Sequence, residues 1–220
     1  MGNTTEMQPV KPLLRGVSHQ VAAIVFAGLG IALVIVADGS RATTAAAIYA
    51  FSVVALFTTS AAYHRITWAT ARARLLMRRL DHSMIFVMIA GTYTPFALLV
   101  LDGTLATVIL VTVWAGAGAG ITMHLLWTTC PKWLSALTYI ALGWVALVPA
   151  KQLIEGLGPT GISLVGAGGL LYTVGAIIYA RGRPDPSPRV FGYHEIFHIL
   201  VVTAAALHFA VVAFHALPKG

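Results

Sequence analysis

Seven runs of roughly 20 predominantly apolar residues divide this chain, each long enough to cross the hydrocarbon core of a bilayer as a helix. They occupy residues 17–37, 44–64, 82–101, 104–126, 133–152, 160–180 and 194–217. The breaks between them are short: Asp38-Gly39-Ser40-Arg41, the basic stretch 65–79, Asp102-Gly103, Cys130-Pro131-Lys132, 155–159, and 181–189 with its three prolines. None could house a soluble domain. Transmembrane β-strands would alternate in segments of about ten residues, and these runs do not. The sequence therefore predicts an all-α, integral membrane bundle of seven transmembrane helices. Residues 1–16 form an N-terminal tail and 17–217 the transmembrane domain. The first run is too long for a signal peptide, lacks a clear small-residue cleavage site and is followed by a full bundle, so it is expected to be retained.

Composition agrees. Of 220 residues, 58% are hydrophobic and 10% charged, under half of the roughly 25% charged residues of a soluble domain. High hydrophobicity with little charge excludes intrinsic disorder. The single cysteine, Cys130, excludes an intrachain disulfide scaffold. The excess of 14 Lys and Arg over 7 Asp and Glu would suggest nucleic acid in a soluble protein, but here it reads as orientation. Lys11, Arg15, Arg65, Arg72, Arg74, Arg78, Arg79, Lys132, Arg181, Arg183 and Arg189 fall on one side of the seven runs, and Arg41, Lys151 and Lys219 on the other. Basic residues remain cytoplasmic, which places the N-terminus inside and the C-terminus outside. That is opposite to a G-protein-coupled receptor. Lys151 and Lys219 fall at outer ends, where neither could carry a retinal Schiff base.

Ionisable residues within spans are costly and mark function. Six of the eight histidines, His19, His64, His82, His124, His194 and His198, fall at the cytoplasmic ends of their spans; His208 and His215 lie further out. His194 and His198 are four residues apart and share a helix face, as do Ser60 and His64. Three neutral imidazoles, His64, His194 and His198, with a fourth position left for water, match a catalytic zinc site. Asp81 beside them could hold that water or take its proton, and the Ser60 hydroxyl could bond a developing oxyanion. His19, His82, His124 and His215 are read as structural. His208 shares a face with His194 but lies about 21 Å further along the helix, so it is expected to line a cavity above the metal.

His194-Glu195-Ile196-Phe197-His198 also spells H-E-x-x-H, the zinc metalloprotease signature, and Leu101-Asp102-Gly103 could pose as the L-D-G of intramembrane site-2 proteases. Asp102, however, falls at the opposite membrane face, roughly 30 Å away, and the order of the two motifs is reversed. Glu195 is better read as a first-turn carboxylate favoured by the helix dipole and paired with arginines.

Taken together, Ser60-x-x-x-His64, Leu80-Asp81-His82 with Ile89-Ala90-Gly91-Thr92-Tyr93-Thr94-Pro95-Phe96, and His194-Glu195-x-x-His198 with His208 resemble the hemolysin III family. This is the bacterial branch of the progestin and adipoQ receptor superfamily, which includes the adiponectin receptors. The resemblance extends from Lys11-Pro12 through the seventh span. It implies a seven-helix bundle with a cytoplasmic N-terminus in the bacterial inner membrane. It also implies zinc on His64, His194 and His198, with Ser60 and Asp81 near the zinc water. Animal relatives are associated with ceramide hydrolysis, and bacterial members are often labelled hemolysins. Some relatives carry Glu and Asn ahead of the first-span histidine; here the stretch is Arg15-Gly16-Val17-Ser18-His19, so that acid's role is not inherited. With about 16 residues ahead of the first span, hormone binding by a folded ectodomain is not expected.

Three functions are consistent with these residues. One is a zinc-dependent hydrolase of lipid amides, with membrane lipids as its partners and no nucleic acid. A second is a membrane lipid or energy-state sensor in which zinc is structural. The third is a cytolytic pore, for which no span carries the expected polar stripe.

Overall fold

A computed structural model of the protein describes residues 11–127 and 129–220. Residues 1–10 of the expected tail lie outside the described residues. The chain runs through α1 (Val17–Val36), α2 (Gly39–Arg65), α3 (Ala71–Leu99), α4 (Gly103–Leu126), α5 (Lys132–Gly143), α6 (Ala150–Arg181) and α7 (Tyr193–Val211). Neighbours in sequence pack side by side, and α1 against α7 closes the ring. The third helix, α3, also meets α5 and the C-terminal turns. It is the most enclosed long helix, with 61% of its apolar window buried.

The outer surface is apolar. Ile24, Ile35, Leu126 and Phe214 are all more than 70% exposed, while the interior holds Ser60, His64, Asp81, Glu195 and His198. Water would reverse this arrangement; a bilayer requires it, because lipid solvates the aliphatic faces and the polar groups must find partners inside. Among the described residues, six helices are long and apolar enough to cross a membrane, and the protein is a multi-pass membrane protein.

The fifth run is the exception to the expected series of continuous spans. Its α-helix ends at Gly143, a 3-10 turn covers Trp144–Leu147, and helix resumes at Ala150 after Pro149. Proline has no N–H and its ring collides with the preceding turn, which favours a break in the turn ahead of Pro149. Backbone groups freed at membrane depth must be satisfied from elsewhere. The Tyr93 hydroxyl of α3 does this, donating to the Gly143 carbonyl and accepting from the Ala146 N–H, both at 2.6 Å.

Two of the longer expected breaks are also largely helical. Residues 150–157 continue as helix up to a kink at Gly158, whose φ of 69° is followed by Pro159. The Leu157 carbonyl at that kink accepts from His215 Nδ1 at 3.0 Å. The basic stretch 65–79 becomes α-helix from Ala71, because Thr70 caps α3 by accepting the Ala73 N–H at 3.1 Å. The prolines of 181–189 do hold a loop. Backbone bonds from Leu13 and Leu14 N–H to the Arg189 and Val190 carbonyls lay the N-terminal segment across it.

Candidate metal centre

One end of the bundle collects the start of α1, the end of α2, the start of α3, the end of α6 and the start of α7. His64 stands in the last turn of α2; one turn before it, Ser60 lies on the same face. Asp81 comes from α3, about three turns after its start. His194 and His198 occupy successive turns of α7, as their spacing requires.

One ring nitrogen from each of His64, His194 and His198 lies within 4.8 Å of the other two. His64 Nε2 and His194 Nε2 face each other at 3.2 Å. Zinc–nitrogen bonds of about 2.0–2.1 Å in a tetrahedron separate ligand nitrogens by about 3.4 Å, so this pair already has the spacing of two ligands. His198 Nδ1 is buried and has no hydrogen-bond partner among the described residues, an expensive state for an interior polar atom. The donor set thus fits a divalent transition metal, and the cluster could chelate one.

Asp81 Oδ2 lies 3.9 Å from His64 Nε2 and 3.7 Å from His82 Nδ1. Ser60, Asp81, His194 and His198 share the wall of a cavity of about 130 Å³, which is otherwise lined mainly by aliphatic and aromatic side chains such as Leu56, Met88 and Tyr172. His208 lines the same cavity, bonded through Nε2 to the Val165 carbonyl at 3.2 Å.

The other polar residues of the sequence motifs have structural partners. His82 donates from Nδ1 to the Arg78 carbonyl at 2.8 Å, which leaves Nε2 to accept from the Tyr179 hydroxyl at 3.0 Å. His124 Nε2 meets the Tyr139 hydroxyl at 3.1 Å. Glu195 is 3% exposed, ion-paired to Arg15 and bonded to the Gly192 N–H at 2.8 Å. It caps its own helix. Asp102 sits at the far end of the bundle, where its N–H bonds Gln152 Oε1 at 3.0 Å, so no L-D-G ligand reaches the histidines.

Sequence reasoning undervalued His19. Its Nδ1 shares a 2.8 Å hydrogen bond with Ser60 Oγ, and its ring stacks on His198. The available signal was depth, since His19 falls at the same end of the bundle as Ser60 and His198. No helical spacing links residues on three different helices.

Residues 7–209 match the family described as Haemolysin-III related. The chain is 33% identical over 211 residues to Hemolysin-3 of Bacillus cereus, covering 94% of this chain and 92% of that protein. It is 35% identical over 168 residues to the Hemolysin-3 homolog of Bacillus subtilis (strain 168), covering 76% and 75%. Over 165 residues it is 27% identical to the human Monocyte to macrophage differentiation factor, covering 74% and 66%.

Proposed function

Because the chain belongs to the haemolysin-III-related family, we propose that it is a zinc-dependent membrane hydrolase acting on a lipid amide. The observation that carries this reading is a cluster of three histidine nitrogens, from His64, His194 and His198, two of whose residues (His194 and His198) line a mainly apolar cavity together with Ser60 and Asp81. The interrupted fifth run completes seven spans over 17–217, with 1–16 as a cytoplasmic tail and the C-terminus outside. The distribution of basic residues supports that orientation and puts the histidine cluster at the inner membrane face.

His64, His194 and His198 would hold the zinc. Bound there, zinc supplies Lewis acidity, polarising a carbonyl and lowering the pKa of water towards neutrality. The remaining roles fall to the chain. The Asp81 carboxylate, 3.9 Å from His64 Nε2, accepts a proton as water is activated and returns it to the departing amine. The Ser60 hydroxyl, held by His19, donates to the oxygen on which charge develops. The walls around Leu56, Met88 and Tyr172 hold an acyl chain and keep bulk water out.

A structural-zinc sensor is the second reading, favoured by the fact that the three histidines come from two helices, α2 and α7, which a metal would tie together. Metal analysis of purified wild type beside His64→Ala and His198→Ala tests both readings. Less than about half an equivalent of zinc in wild type removes the metal from either. Stoichiometric zinc with fatty acid released from a lipid-amide panel, lost in His198→Ala, supports the hydrolase. Stoichiometric zinc without any product supports the sensor.

A further inference from the structure

A second concavity, of about 1140 Å³, opens over the histidine cluster and shares His64, His82, Tyr179 and His194 with its surroundings. Its cations come from separate segments: Lys11 and Arg15 ahead of α1, Arg74, Arg78 and Arg79 on α3, Lys132 at the start of α5, and Arg189 in the loop before α7. Among the described residues, Asp185 is the only acid in the lining, and its Oδ1 is already occupied by the Tyr193 N–H at 3.0 Å. The nearby Glu195 is taken by Arg15 and Gly192. Among the described residues, none of Lys11, Arg74, Arg79, Lys132 and Arg189 is paired with a carboxylate. Arg79 Nε is buried there without a hydrogen-bond partner.

Gathering like charge around a concave surface is unfavourable unless something of opposite sign occupies it. The effect is visible at Lys11, whose pKa lies below the usual lysine value because of partial burial and then of Arg65, Arg15 and Arg74. Orientation in the membrane needs basic residues near the interface, but it does not need them to line one basin. Arginine forks match the oxygen geometry of phosphate, and several cations around one space suit a group of charge near −2 better than a single carboxylate.

We infer that this basin is a binding site for a phosphate group, set at the mouth of the metal centre. The group could belong to a phospholipid headgroup or to a small soluble phosphate. Arginine and lysine recognise both through the same oxygens. The inference goes beyond the hydrolase reading and does not depend on it.

The test uses the full-length protein in phosphatidylcholine nanodiscs, doped with phosphatidic acid or with diacylglycerol of the same chains. Bound lipid is counted by native mass spectrometry, and Trp68 and Trp127 in the basin lining report occupancy by fluorescence. Phosphatidic acid should be retained about tenfold over diacylglycerol. Arg74→Gln with Arg189→Gln should remove most of that preference, whereas Arg41→Gln at the opposite end should leave it intact. If the double variant does not fold, the wild-type comparison and its weakening by salt decide alone. A saturable fluorescence response to inorganic phosphate supports the site and assigns the soluble source; a response to phosphatidic acid alone supports it and assigns the headgroup. Equal retention of the two lipids with no response to phosphate overturns the inference. So does a preference that vanishes on chelation yet ignores the arginine variants, since the phosphate would then sit on the metal. A protein without zinc that still selects phosphatidic acid sinks the metal reading and leaves the basin standing.

Discussion

The imidazole of His19 lies flat on that of His198, with ring centroids 3.7 Å apart and planes 10° from parallel. On its other side, His19 is bonded to Ser60. One side chain of α1 therefore contacts both His198 of α7, a proposed ligand, and the Ser60 hydroxyl of α2. Groups that orient metal ligands are worth about 10–100-fold in affinity. His19→Ala should weaken the proposed zinc binding by about tenfold in a chelator competition while the three proposed ligands remain. His19→Phe retains a flat ring against His198 but loses the bond to Ser60, so it separates stacking from hydrogen bonding. Unchanged affinity in both variants would leave His19 with a packing role only.

Tyr93 carries the break in the fifth run. In Tyr93→Phe, the Gly143 carbonyl and the Ala146 N–H lose their shared partner inside the bundle. Each unsatisfied interior group costs about 1–3 kcal/mol. The variant should melt several degrees lower in detergent, with zinc content unchanged. Wild-type thermal stability would mean that the freed groups pair elsewhere.

Much of this was legible in the sequence, for identifiable reasons. Long apolar runs specify spans because backbone groups in lipid have little alternative to helix, and i, i+4 spacing brings His194 and His198 together because both lie on one helix. What was not legible depends on contacts between helices or on local caps. Hydropathy marks where α3 crosses apolar surroundings, but it does not register the Thr70 cap that starts the helix at Ala71. Hydropathy reads 133–152 as one continuous span, and the break inside it is satisfied by Tyr93, 50 or more residues upstream. His19 was placed at the right depth, but its partners are on other helices.

The Arg15–Glu195 pair separates a structural carboxylate from a catalytic one. Glu195 is nearly fully buried and Arg15 one-fifth exposed. Arg15→Ala strands a carboxylate in the interior and should cost about 3–5 kcal/mol. Glu195→Gln retains an oxygen to accept the Gly192 N–H and should cost less. If Glu195 only caps α7 and anchors the segment before α1, Glu195→Gln keeps the proposed zinc binding and any lipid-amide turnover. Turnover lost with zinc and folding intact would instead make Glu195 an acid or base of the reaction.

Gly16 and Gly39 form a matched pair for testing how the N-terminal segment supports the proposed metal centre. Both have positive φ, 81° and 79°, so alanine meets similar backbone strain at each, on the order of 1–3 kcal/mol. They differ in surroundings. A Cβ at Gly16 would come within 2.6 Å of the His64 Cβ, whereas one at Gly39 meets nothing within 4 Å. Gly39→Ala should lower the melting temperature and leave zinc affinity alone. Gly16→Ala should lower both, because either the segment carrying Arg15 or the His64 side chain must shift. Equal zinc affinity in the two variants would show that the approach of Gly16 to His64 does not position the ligand.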